Sequence, residues 1–386
     1  MGNMHYSGSG NKNSRNDIDI YSGKDVGSDS RDIYSSGRTV KKKRDIKRIV
    51  LNSVFSVVLA LSVLAIVAMT GFGQLAYGFD SNFKSGDDDD YNDLSFSTHE
   101  DVTYFLVVGL DYSEALTDVI MVVCFDHGKN EVNCLQIPRD TFAGSDVVKI
   151  NAVYGHTGRG IKGINALRRR ITSMFGLPID HFVAINLEAF REIVDAVGGV
   201  TITLDKAMKV EASTNPDNKW GTERFTIGPG TVKLNGKQAE GFVRNRSYQA
   251  MGDPGRVNSQ RKFYAAFMKE VLGMSTGEAL TIAKNCYNDV NTDMTINQIL
   301  GYIKAAQKLD LEKINMMAVP GQGGCYYGSQ DCYSVLIKQY VELANKYLLP
   351  YDDPITADQL KITDISTKNE GNWLSHVGSL SEYEAQ

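Results

Sequence analysis

The sequence has little of what marks the common enzyme classes. It contains no GxxxxGK[ST] run, and no GxGxxG falls between a strand-like and a helix-like segment, so the usual backbone cradles for nucleotide phosphates are missing. The six histidines form no HExxH and the five cysteines no CxxC, which excludes the common zinc spacings. Neither sign of charge dominates. A formal net charge of −5 over 386 residues gives no ground for nucleic acid as a partner. Apolar and charged contents of 42% and 23% are those of a globular protein, so the informative charges are local.

What is present begins with a gradient along the chain. Residues 1–39 are rich in Gly, Ser, Asn and Asp and cannot bury enough apolar surface to offset ordering entropy, which predicts disorder. KKKRDIKR follows at Lys41–Arg48, and then an uncharged apolar run, Ile49–Met69. That run is long enough to cross about 30 Å of hydrocarbon as a helix. It begins too far in and runs too long for a cleaved leader, so it reads as a retained anchor. Basic residues crowd its N-terminal side, while the other side reaches only Lys84 before Asp101. The positive-inside rule then predicts a single-pass protein of the cell membrane, with residues 1–48 cytoplasmic and the rest outside. The expected organisation is a basic tail (1–48), a membrane span (49–71), an acidic linker holding Asp87–Asp90 (72–100), an extracytoplasmic catalytic domain (101–350) and an irregular tail (351–386).

Within the catalytic region, Val102–Leu110, Val119–Phe125 and Val132–Ile137 are short apolar, β-branched runs that read as buried strands. Strands are also predicted at Phe182–Asn186, Val200–Leu204 and Ile314–Val319. Helical spacing covers Gly163–Phe175, Leu187–Val197, Val257–Leu272, Ile296–Leu309 and Ser334–Tyr347. The alternation implies an α/β layered sheet. Cys124 and Cys134 flank a hairpin turn, DHGKN. Cys325 and Cys332, in CYYGSQDC, are expected to bridge in an oxidising compartment.

Charged residues gather at the strand ends. Asp111 follows the first strand in GLDYS and Asp118 precedes the second in LTDVIM, so if these strands are neighbours both carboxylates lie at one end of the sheet. Two hard oxygen ligands suit Mg²⁺, although capping of a turn by Asp is the commoner use. Arg139 and Asp140 follow the third strand in IPRD, where Pro138 ends the ladder and is expected to point the pair outward. Lys149 and Asn151 lie in VKINAVY. In FVRNRSYQAMGDPGRVNSQRK, Arg244 and Arg246 alternate, and Arg256 and Gln260 are four apart on one helix face. Arginine's planar fork binds phosphate with two parallel bonds and stays charged. Arg168–Arg170 spread around a helix and are assigned to a solvated face.

The order GLD, LTD, IPRD, VKINAVY, FVRNR, GRVNSQ resembles the LytR–CpsA–Psr family of cell-wall glycopolymer ligases, as do Ile179–Ile202 and Leu234–Arg246. The resemblance spans about Thr103–Val319 and implies a three-layer α/β/α sandwich around a mixed sheet, preceded by one transmembrane helix. It implies a tunnel for lipid under the sheet, an undecaprenyl-pyrophosphate-linked glycopolymer as donor and a muramic-acid hydroxyl of peptidoglycan as acceptor. By the matching motifs, Asp111 and Asp118 would hold Mg²⁺, with Mn²⁺ as the alternative ion. Arg139, Arg244, Arg246, Arg256 and Gln260, with Lys149 and Asn151, would bind the pyrophosphate, and Asp140 would orient arginines or act as base. The chain departs from the family pattern at Ser113, and at Leu116 and Thr117 before the second Asp, where the family often carries Arg or Ser. Val148 stands where it has Asp. A polyprenyl-pyrophosphate hydrolase and a non-catalytic lipid-binding regulator of the envelope are the competing readings.

Overall fold

The computed structural model describes residues 99–111, 113, 115–213, 222–245, 253–306, 309–350, 353–366, 378–379 and 381–382, with residues 253–260 described by backbone alone. The expected tail, the span at 49–71 and nearly all of the linker lie outside these residues. Among those described, no helix is long and apolar enough to cross a membrane.

The fold is organised by three strands consecutive in sequence, β1 (Val102–Leu110), β2 (Thr117–Asp126) and β3 (Glu131–Ile137). They form an antiparallel meander. Almost every residue of β1 and β2 is buried, as strands covered on both faces require. The β2–β3 turn is DHGKN, with Asn130 in the left-handed region and Lys129 N donating to Asp126 Oδ1 at 2.8 Å. The chain continues through a ribbon of β4 (Phe142–Gly144) and β5 (Val148–Lys149), then α1 (Val153–Thr157), α2 (Ile161–Phe175), β6 (His181–Ile185) and α3 (Leu187–Ala196). Next come β7 (Val200–Leu204), β8 (Met208–Ser213), β9 (Thr222–Ile227) and β10 (Gly230–Leu234), with β7 paired to β10 and β8 to β9. The remaining elements are α4 (Gly236–Arg244), α5 (Asp253–Leu272), α6 (Thr276–Cys286), β11 (Asn291–Thr292), α7 (Ile296–Ala306), β12 (Ile314–Ala318), β13 (Gly321–Tyr327), β14 (Gln330–Val335), α8 (Ile337–Leu343) and β15 (Gly378–Ser379).

Seven strands form the central sheet in the order β11-β6-β1-β2-β3-β12-β15. It is mixed: β6 runs parallel to β1 and β12 parallel to β3, while the other pairs are antiparallel. Successive β1 side chains alternate between two apolar cores. Tyr104, Leu106 and Val108 pack with α1, α2 and α8, whereas Phe105 and Val107 pack with α3 to α7. The result is an α/β architecture around a central mixed sheet, with helices packed on each face.

Two glycine-containing runs match familiar motifs in letters only. GRGIKG at 158–163 links α1 to α2, and GMSTG at 273–277 links α5 to α6, so neither follows a strand. Ser275 Oγ caps α6 by accepting from Glu278 N at 3.3 Å, so this serine is a helix cap and not a strand-to-helix elbow.

Several expectations are corrected. Ser334 belongs to β14, and the helix expected over Ser334–Tyr347 starts at Ile337. The C-terminal tail is not wholly irregular, because Gly378–Ser379 closes the sheet against β12. Cys325 and Cys332 are buried and not bridged, although directly opposed across β13 and β14. Each donates instead to a nearby carbonyl of its own strand, Cys325 to Gln322 O at 3.5 Å and Cys332 to Gln330 O at 3.6 Å. Arg168 is not solvated. It is fully buried, donates to Ile179 O at 2.7 Å and Asp180 O at 3.2 Å, and lies 3.8 Å from Asp293 Oδ2. Arg170 pairs with Asp146 at 2.5 Å.

A buried cation that ties a helix to the entrance of a strand is costly to delete, because its acceptors lose a partner they cannot replace with water. Arg168→Ala is expected to lower unfolding stability by about 3–5 kcal/mol in urea titrations, whereas Lys162→Ala, at an exposed position of the same helix, should change it by less than about 0.5 kcal/mol. Equal effects at the two positions would show that Arg168 does not hold β6 to α2.

Candidate active site

The β1–β2 pairing brings Asp111 and Asp118 to one end of the sheet. Leu110 pairs with Thr117 across a register shift at Gly109, and Asp111 N donates to Leu116 O at 3.0 Å. Asp111 also caps its own loop: Oδ1 accepts from Ala115 N at 2.8 Å and Leu116 N at 3.0 Å, and Oδ2 from Ser113 Oγ at 2.6 Å. A carboxylate offers about four lone-pair sites, so three bonds leave room for one further partner. Ser113 therefore serves the loop at the position where an arginine is often found in the family pattern.

Asp118 is only 2% exposed. Its Oδ1 accepts from Arg139 Nη1 at 2.7 Å, while Oδ2 is buried with no hydrogen-bond partner among the described residues. Burial raises its pKa to about 7; Arg139 opposes the shift by charge and hydrogen bond, Asp111 adds to it and Arg244 opposes it. Arg139, at 7% exposure, does not project outward as Pro138 suggested. The turn closed by Thr141 N donating to Pro138 O folds it back over the sheet end, and Asn151 N donates to the Arg139 carbonyl at 3.2 Å.

Asp140 takes the outward direction instead, with a side chain 41% exposed. Its Oδ2 lies 3.6 Å from Arg139 Nε, and its Oδ1 accepts from Lys149 Nζ at 2.8 Å. Charges thus alternate through Asp118, Arg139, Asp140 and Lys149. Val148 adopts a φ of 67°, where β-branched residues are strained, and Lys149 N donates to Val147 O at 2.9 Å across this tight turn. The turn directs Lys149 back at Asp140. Asn151 is buried, and its carbonyl accepts from Thr117 Oγ1 at 3.4 Å, so it braces the loop under β2.

Arg244 ends α4, is 2% exposed and acts on Asp118 by charge. Arg246 lies outside the described residues. Arg256 and Gln260 fall one turn apart on α5, whose side chains there are not described. The structure therefore brings together Asp111, Asp118, Arg139, Asp140, Lys149, Asn151 and Arg244. Sequence reasoning missed Glu240, fully buried and bonded to Arg244, although its spacing four residues before Arg244 in QAEGFVR was visible. A cavity of about 270 Å³ beside β6, whose lining includes Tyr154, Ile161, Ile164, Phe182 and Asp293, does not include these residues.

Residues 74–347 match the family model described as LytR_cpsA_psr. Similar curated proteins include a polyisoprenyl-teichoic acid–peptidoglycan teichoic acid transferase, TagU, of Oceanobacillus iheyensis. It is 28% identical over 244 residues, covering 60% of this chain and 72% of the relative. TagU of Bacillus subtilis is 25% identical over 241 residues, covering 58% and 72%. Among solved structures, B. subtilis TagV superposes with a TM-score of 0.54 at 21% identity, covering 69% of this chain and 99% of that one. Protein gbs0355 of Streptococcus agalactiae gives 0.52 at 21% identity, covering 68% and 89%. At these identities the likeness establishes the α/β fold.

The raised pKa of Asp118 has a definite sign. With an ordinary value of 3.8 and a folded value of about 7, the group's contribution to stability is full below about pH 3.8 and is lost as the pH rises through about 7. Arg139→Ala removes the charge that holds the folded value down, so the loss continues to higher pH. The substitution is expected to cost about 3–5 kcal/mol at pH 8 and clearly less at pH 5.5, measured by urea unfolding. Equal costs at both pH values would mean that Asp118 does not change its ionisation between them.

Proposed function

Because this chain belongs to the LytR_cpsA_psr family, we propose that it transfers a glycopolymer from a polyprenyl-pyrophosphate carrier to peptidoglycan. The relatives named above are named as transferases of teichoic acid from a polyisoprenyl-teichoic acid to peptidoglycan. The observation that carries the reading is the corner at Asp118: a buried carboxylate with one oxygen on Arg139, the other without a partner among the described residues, and the charge of Arg244 acting on it. Positive side chains around a buried acceptor atom make a site for phosphate oxygens together with a cation.

The residues fit Mg²⁺. Asp118 Oδ2 has an open buried lone pair and Asp111 retains capacity for one more partner, so these two would hold the ion, with phosphate and water completing its shell. When bound, it would neutralise charge on the transferring phosphoryl group. Arg139 and Arg244 bind phosphate oxygens and stabilise the charge that grows on the leaving polyprenyl phosphate. Arg246, Arg256 and Gln260 are assigned the same phosphate-binding role by their motifs alone, FVRNR and GRVNSQ. Asp140 is the exposed carboxylate of the cluster, held by Lys149, and accepts the proton of the incoming sugar hydroxyl. The hydroxyl oxygen forms a bond to the phosphorus that carries the polymer, and the bond from that phosphorus to the polyprenyl phosphate breaks. The apolar run at 49–69 anchors the chain in the membrane, and the basic cluster at Lys41–Arg48 places the α/β domain outside.

Three measurements test this reading on the full chain in detergent or in protoplasts. With lipid-linked donor and peptidoglycan, Asp118→Asn should lower transfer at least about a hundredfold, and Arg244→Ala should lower donor affinity and transfer together. Full transfer by both folded variants would put the site elsewhere. Release of the donor's polymer without attachment to peptidoglycan would identify a hydrolase, and absence of any turnover a binding protein. Since Asp118 must give up its proton to bind a cation, the rise in Tm on adding Mg²⁺ should be larger at pH 8 than at pH 6 and vanish in Asp118→Asn. A pH-independent rise would mean that Mg²⁺ displaces no proton from Asp118, and a rise retained in Asp118→Asn would remove it from the ion's ligands. Protease added to intact protoplasts should digest the α/β domain, and its survival would invert the topology.

A further inference from the structure

Arg244 does not approach Asp118 as a lone side chain. It is bonded through Nη1 to Glu240 Oε1 one turn earlier on α4, and Glu240 is fully buried. The other oxygen of Glu240 accepts from Arg191 of α3, with Nε at 2.6 Å and Nη2 joining it. One carboxylate therefore holds two guanidinium groups from two helices, one on each oxygen.

The backbone is shaped to allow this. A Cβ at Gly236 would lie 2.3 Å from the Arg191 carbonyl oxygen, and one at Gly241 would lie 2.9 Å from Val210 Cβ. With glycine at both positions, α4 packs onto α3 and β8 at a distance no side-chain-bearing residue would permit. Asn235 and Gln238 fix the start of α4 with reciprocal caps. The helix that carries Glu240 and Arg244 is thus held at its start and along its length.

Charge bookkeeping gives the cluster a direction. A buried glutamate paired with one arginine would form a neutral unit, and Glu240 would then compete with any phosphate for Arg244. Sharing the carboxylate with Arg191 leaves the three groups one positive charge in excess. Arg244 is the member of the three whose charge reaches the Asp118 corner.

We infer that Glu240 is a positioning residue: clamped by Arg191, it fixes the Arg244 guanidinium at the Asp118 corner while leaving it charge to offer a pyrophosphate. This rests on the reading of Arg244 as a phosphate contact. An ion pair that merely joined α3 to α4 would contribute to stability alone, whereas a positioning residue acts on binding through Arg244.

A double-mutant cycle on the full chain in detergent separates the two, with farnesyl pyrophosphate as the probe and binding measured by calorimetry. Glu240→Gln is expected to weaken binding about tenfold in the parent chain. In an Arg244→Ala background the same change should alter affinity less than about twofold, because the residue it acts through is gone. Equal losses in both backgrounds, or none in either, would overturn the inference while leaving Arg244's own role intact. If Arg244→Ala alone leaves affinity unchanged, the phosphate reading falls and this inference with it. Should Glu240→Gln fail to fold, Glu240→Asp carries the same cycle, since it keeps the buried charge beside Arg191 but withdraws the carboxylate by one methylene.

Discussion

A carboxylate at the first turn of a buried strand must have a compensating charge, and Asp118 obtains it from Arg139 at the end of the neighbouring strand. Much of the surrounding geometry follows from that one contact. Arg139 can reach Asp118 only if the chain reverses at Pro138, and the reversal turns Asp140 outward to meet Lys149. Lys149 in turn is aimed by the strained Val148, and Asn151 then lies under β2. A pairing that satisfies only one oxygen of Asp118 leaves the other, among the described residues, as a buried acceptor without a donor, and an acceptor in that state is a cost to the fold unless a ligand uses it.

The strands of the meander were legible because their burial pattern is written in continuous β-branched runs. β1 runs over Val102–Leu110 as read, and β2 and β3 differ from expectation only by residues at their ends. The co-location of Asp111 and Asp118 followed from antiparallel neighbours alone. Side-chain direction at element ends was not legible. Arg139 was expected to point outward and folds in, because the turn after Pro138 is set by hydrogen bonds to residues 141 and 151 and not by the proline. Arg168 was assigned to solvent because successive helical residues diverge, yet divergence on a helix packed against a sheet guarantees that one of three faces the interior. The β13–β14 hairpin, too, was hidden behind the glycines of GQGG and the polar residues around its turn, which are depleted in strands.

Glu240 shows a second kind of blindness. An acidic residue in a helix between apolar neighbours reads as surface, and only the packing of α3 against α4 reveals that it is enclosed and counterbalanced. The glycines at 236 and 241 were equally quiet in the sequence, since the space they vacate is visible only once the neighbouring backbone is known.

The sheet order has an implication for how the molecule comes into being. Its three central strands are consecutive in sequence, so Asp118 and Arg139 meet through a loop closure of only 21 residues. The parallel partners on either side, β6 on β1 and β12 on β3, must wait for chain made much later, and so must Arg244. Local contacts form ahead of distant ones because closing a long loop costs more entropy. The end of the sheet that pairs Asp118 with Arg139 is therefore formed ahead of the helix that brings the second arginine, so Arg244 arrives at a corner whose first ion pair is already in place.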